Sequence, residues 1–188
     1  MKIQIISGYV LVAILMLWSV LESNIEFLFY AVTTFAIVAV LQYIDKKFNL
    51  ASLLLWGFNI WIIMHILWGL LVVWDSVLYS QMILPIIWEP YSVLKYDQIV
   101  HFYCYFIVTL IIWSILVKYH TNKSSYIILA IISILAAAWV WWCNEIIEFL
   151  ATVFIEDVNV GGYENTAIDI IANTLWAISA SILFKNIK

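Results

Sequence analysis

Three short stretches place ionisable side chains at helical spacing inside apolar surroundings. Asp97 and His101 are four residues apart, Glu145 and Glu148 are three apart directly after Asn144, and Asp169 and Asn173 are four apart. On an α-helix each spacing puts both side chains on one face, one turn apart. His65 is a further polar residue, alone in its apolar run. Carboxylates beside imidazole can act as general acids and bases, or can hold a divalent metal ion. That ligand chemistry suits Zn, Mn or non-haem Fe, and two ligands on one helical turn form a familiar coordinating arrangement. The chain has no HExxH, GxSxG or Walker A pattern, and no serine nucleophile beside a His/Asp pair. Hydrolysis would therefore draw on metal-activated water.

The elements that must position these residues are membrane spans. Of the 188 residues, 66% are hydrophobic and only 11% charged, and mean hydropathy is +1.06. A soluble domain is nearer a quarter charged and half apolar, so most of this surface needs a bilayer as its solvent. Spans need about 20 apolar residues. Six candidates predict an all-α, six-helix membrane bundle: Ile3–Val20, Ile25–Ile44, Ala51–Trp74, Ile99–Val117, Tyr126–Phe154 and Ile168–Phe184. The first run is too long for a signal-peptide core and no Ala-x-Ala-like site follows it. Asp75 to Asp97, with Pro85 and Pro90, is expected to form an interfacial or re-entrant segment. Without repeats or a compositional break, residues 1–188 are expected to form a single transmembrane domain.

With alternating spans, Lys2, Lys46, Lys47, Lys118, Lys123, Lys185 and Lys188 fall on one side and only Lys95 on the other. The positive-inside rule then predicts a plasma (inner) membrane protein with both termini cytoplasmic. There is no arginine and no basic run, which disfavours nucleic-acid partners. Cys104 and Cys143 are expected to be small buried hydrophobes.

Alternation also brings the ionisable residues to one side. His65 and Glu145 each stand nine residues from the outer end of their spans, roughly 14 Å deep at 1.5 Å per residue. Asp97, His101, Asp169 and Asn173 open theirs. Behind the polar pairs, Trp176, Ala177 and Ala180 on the last span, and Trp141, Ala138, Ala137 and Ile134 on the fifth, continue faces expected to point inward. Four carboxylates in a low-dielectric bundle cannot all stay ionised without compensation. Either protons are taken up or a cation binds. His101, Glu145, Glu148 and Asp169 are the expected metal ligands or acid-base groups, with Asp97 orienting His101.

Blander roles stand beside these. His65 is most simply a hydrogen-bonded core histidine, and Asp97 and Asp169 could be helix caps. Asn144 and Asn173 could be interhelical glue. Tyr163, Glu164 and Asn165 are candidates for the mouth of the site. Glu22, Glu26, Asp75, Glu89, Glu156 and Asp157 are expected to be solvated or interfacial.

Four runs carry a family resemblance: Met64-His65 with Trp68-Gly69, YDQIVHF, NEIIEF and NTAIDIIANT. Together they resemble the YjdF-like family of bacterial inner-membrane proteins and, more distantly, the VanZ-like family associated with glycopeptide resistance. The likeness covers about residues 60 to 182. Cys104-Tyr105 and Trp176 stand where such families commonly carry glycine, and Glu148 rather than Gln favours the YjdF-like side. The resemblance implies six membrane helices and supplies no reaction.

The leading expectation is a metal-dependent membrane enzyme acting on a lipid or lipid-linked substrate at the outer leaflet, the substrate entering between spans. A proton- or ion-coupled permease using the same carboxylates is the competing class. The near absence of ionisable residues in the inner halves of the spans counts against it. A VanZ-like accessory protein, its polar cluster fixing helix register, is the third.

Overall fold

The computed structural model describes residues 1–87, 93–120, 126–155 and 162–185. Six helices are long and apolar enough to cross a membrane. They are α1 (Ile3–Leu21), α2 (Ile25–Phe48), α3 (Ser52–Leu70), α4 (Tyr96–Tyr119), α5 (Tyr126–Phe154) and α6 (Tyr163–Ala180), the last running into a 3-10 turn (Ser181–Leu183). The all-α membrane fold read from the sequence is the observed one.

Local chemistry sets the helix ends. Asn24 caps α2 by accepting from the Phe27 amide at 2.9 Å, and Asn49 ends it in the left-handed region at φ 48°. Lys46 and Lys47 lie in that last turn, where a cation complements the helix dipole. Lys2 Nζ donates to Asp45 Oδ1 at 2.7 Å and to the Leu50 carbonyl at 2.5 Å. Lys118 donates to the Asn49 carbonyl at 2.9 Å. These bonds gather Lys2 and Lys118 around the C-terminal end of α2, at one end of the bundle. The Trp113 indole donates to the Phe184 carbonyl there, at 3.0 Å.

Helix α1 packs on α2 and α3, while α4 is central and packs on α3, α5 and α6. One core cluster draws on all six, including Val12, Val38, Ile62, Val100, Ala151 and Ala180. The inward faces expected on α5 and α6 are buried at Ala137, Trp141, Ala177 and Ala180. Large apolar residues such as Val10, Leu17, Trp139 and Phe149 cover the outside, as a lipid-solvated surface requires.

Several boundaries differ from the hydropathy reading, α2 running on to Phe48 and α4 starting at Tyr96 among them, and two bear on the site. Helix α3 stops at Leu70, not Trp74, because β1 (Val72–Val73) turns back and pairs antiparallel with β2 (Ser76–Val77). Trp74 and Asp75 form the turn with φ of 53° and 68°, the positive values a two-residue hairpin needs at both positions. A 3-10 turn (Leu78–Ser80) follows, and β3 (Met82–Ile87) then pairs antiparallel with β4 (Val93–Lys95). The described part of the segment from Asp75 to Asp97, expected to be interfacial or re-entrant, is two strand pairs joined by a 3-10 turn that packs on α3 and α4. The second difference is that α6 begins at Tyr163 rather than Ile168. Its polar first turn, Tyr-Glu-Asn-Thr, carries too little hydropathy to register as a span.

Glu26, expected to be solvated, is only 5% exposed in the first turn of α2. Cys143, expected to be buried, is exposed, and Cys104 is partly buried. Glu89, Pro90, Lys123, Glu156, Asp157, Gly161 and Lys188 lie outside the described residues.

Gly69 lets the Phe27 ring of α2 lie against the α3 backbone, since a Cβ there would fall within that ring. Overpacking of this kind costs about 1–3 kcal/mol. Gly69→Ala should therefore lower the thermal unfolding midpoint in detergent, whereas Gly162→Ala, with open space around it, should leave it unchanged. Equal midpoints for the two variants would contradict the packing of α2 on α3.

Candidate metal centre

Three helices present the site. Asp97 is the second residue of α4 and His101 lies one turn further along the same face. Glu145 and Glu148 sit on α5, nine and six residues before its end at Phe154. Asp169 is the seventh residue of α6, roughly 9 Å in. Because α4 packs on both α5 and α6, the three faces converge.

His101 is the hub. Its Nε2 lies 3.3 Å from Asp97 Oδ1 and 3.6 Å from Glu148 Oε1. Ligand atoms of Asp97, His101 and Asp169 lie within 4.8 Å of one another, as do those of His101, Glu145 and Glu148. All five residues expected to do the chemistry are thus brought together. Asp97 is 5% exposed and Asp169 1%.

Neutral donors hold the carboxylates. The Trp68 indole donates to Asp97 Oδ1 at 2.9 Å. Asn165 donates to Asp169 Oδ2 at 2.8 Å and reaches Asp97 Oδ2 at 3.4 Å. Thr166 donates to Glu145 Oε2 at 3.2 Å, and Asn144 to Glu148 Oε1 at 2.6 Å. Among the described residues no lysine pairs with any of the four carboxylates. One oxygen of Asp169 is buried with no hydrogen-bond partner, as are both amide atoms of Asn173, one turn deeper and 4% exposed.

His65 stands outside this cluster. It stacks between Trp61 and Trp68, ring centroids 5.5 and 5.4 Å away, with Tyr30 edge-on at 5.8 Å. It lies five residues before the end of α3, roughly 8 Å, because that helix is shorter than expected. His65 nonetheless shares a cavity of about 50 Å³ with His101, Asn144 and Glu148. The cavity lies between α2 and α5, helices that pack chiefly on other neighbours. Tyr163 is 87% exposed at the first position of α6 and lines nothing in the centre.

Two residues were not singled out by sequence reasoning as site donors, Trp68 and Thr166; Asn165 was placed only at the mouth. The spacing held a partial signal, since Asn165 and Asp169 are four apart, but only an α6 starting at Tyr163 makes that a helical pair. Outside the spans, Tyr79 packs on Trp68 at 5.1 Å. Its burial, with Asp97 and Glu26 nearby, pushes the Tyr79 hydroxyl above its usual range, so it stays protonated beside the acids.

Asn165 donates to Asp169 on its own helix and, across the contact that ties α6 to α4, to Asp97. Hydrogen bonds to charged groups contribute about 1.5–3 kcal/mol each. Asn165→Leu should lower the unfolding midpoint by several degrees, and Tyr163→Ala should not. Identical melts for both variants would mean the bridge carries no load.

No curated protein and no solved structure matches the chain. Residues 4–188 match the model of the family described as "Predicted membrane protein (DUF2238)". That match bears out the YjdF-like resemblance and does not extend to the VanZ-like one. Spanning nearly the whole chain, it shows that the protein belongs to the DUF2238 family of membrane proteins.

Proposed function

We propose that this protein is a divalent-metal-dependent enzyme of the plasma (inner) membrane, acting on a lipid or lipid-linked substrate at the outer leaflet. One observation carries the reading. Four carboxylates on three helices gather around His101, two of them at distances a shared ion would impose, and no described lysine pairs with them. Ligands about 2.0–2.2 Å from a common ion lie about 3–3.5 Å apart, close to the 3.3 and 3.6 Å around His101 Nε2. The neutral donors on each carboxylate fix its orientation while leaving other lone pairs free, as supports of metal ligands do. When bound, such an ion supplies an activated water or polarises a substrate oxygen.

The cavity between α2 and α5 supports a substrate drawn from the bilayer. Its polar end carries His101, Asn144 and Glu148, and its α2 wall runs through Tyr30, Thr33 and Ile37 toward the middle of that helix. An amphiphile could lay its tail along this wall with its head at the carboxylates. Glu148, facing the cavity with its second oxygen, would move protons at the reacting head group. The lysine distribution supports an outward-facing site.

Two measurements test this. Elemental analysis of the purified protein should find at least one equivalent of divalent metal per chain, reduced at least about tenfold in Glu145→Gln/Glu148→Gln. Metal-free protein that gains no stability from added Zn²⁺, Mn²⁺ or Fe²⁺ would sink the proposal. For orientation, Trp74→Cys, whose native side chain is 89% exposed in the hairpin turn, should react with a membrane-impermeant maleimide in intact cells. Lys46→Cys should react only after lysis, and the opposite pattern would reverse the topology.

A further inference from the structure

The two groups of ligand atoms around His101 are adjacent but not the same, and between them they carry four carboxylates. We infer that the centre is dinuclear, with one divalent ion on the Asp97/Asp169 side of His101 and a second on the Glu145/Glu148 side. This rests on the metal-dependent reading and extends it to two ions.

Charge supplies the first argument. Four ionised carboxylates bring four negative charges into a low-dielectric bundle. One divalent ion leaves two charges that burial does not tolerate alone, so that protons or a second ion must meet them. Two divalent ions bring the group to neutrality with His101 uncharged. The described residues offer no lysine to share that task.

Geometry supplies the second. The imidazole Nε2 has one lone pair and serves a single ion, so an ion on the other side must be held by carboxylates. Each carboxylate has two oxygens and can bridge ions about 3.5–4 Å apart, the spacing of two-metal sites. The donors are distributed accordingly: Asn165 and Trp68 support the Asp97/Asp169 side, and Thr166 and Asn144 the glutamate side. Asp169, 1% exposed, leaves one oxygen buried with no hydrogen-bond partner. A buried acceptor left so is costly, and an ion at this position satisfies it.

The test is titration of metal-stripped, detergent-solubilised full-length protein with Mn²⁺, followed by electron paramagnetic resonance. Two equivalents should bind, and the second should convert an isolated six-line spectrum into an exchange-coupled one. Asp169→Asn should bind one equivalent, with an uncoupled spectrum. Saturation of the wild type at one equivalent would overturn the dinuclear centre and leave a single-metal enzyme standing. Two equivalents without coupling would also overturn it, by placing the ions apart. No binding at all, the charge being met by protons, would overturn both readings. Should Asp169→Asn fail to fold, the wild-type stoichiometry and spectrum decide the matter alone.

Discussion

Carboxylates do not enter a hydrocarbon-solvated bundle unless something meets their charge and their lone pairs. Much of the half of the bundle that holds the cluster follows from that constraint. Helix α6 begins five residues before its apolar stretch, so that Asn165 and Thr166 can reach the acids on α4 and α5. Trp68 directs its indole N–H at Asp97 across the α3–α4 contact. Asn144 reaches Glu148 along its own helix. Each is an uncharged donor, so the hydrogen bonding of these acids is met without a lysine partner among the described residues.

Much of this was legible in the sequence, for physical reasons. Hydropathy finds spans because the bilayer sets both their length and their composition. The i,i+3 and i,i+4 pairs at Glu145/Glu148 and Asp97/His101 announced shared faces because a helix fixes the angle between them. Hydropathy was blind at chain reversals. Val72, Val73 and Trp74 are apolar enough to extend α3, yet the positive φ values at Trp74 and Asp75 turn the chain into a hairpin. It was blind again at the start of α6, where polar residues are helical because they serve the acids. Glu26 looked like a solvated acid because its burial depends on how α2 packs, which no local pattern records.

The two sides of the bundle meet through aromatic rings rather than charge. Trp61, His65 and Trp68 stack along α3, with Tyr30 and Phe27 of α2 against them. Gly69 lets Phe27 approach the α3 backbone. The rings set the height of Trp68 and therefore the position of its N–H at Asp97. His65, outside the cluster itself, thus shares a rigid column with one of the cluster's anchors.

The placement of three polar residues on α6 has a consequence for biogenesis. Spans emerge from the ribosome in order, so α4 and α5 enter the membrane carrying Asp97, Glu145 and Glu148 before Asn165, Thr166 and Asp169 exist. Until α6 arrives, those acids lack two of their donors and the remaining carboxylate of the cluster. The nascent bundle is therefore incomplete in a way that insertion of α6 repairs, and arrival of that helix doubles as a checkpoint on assembly.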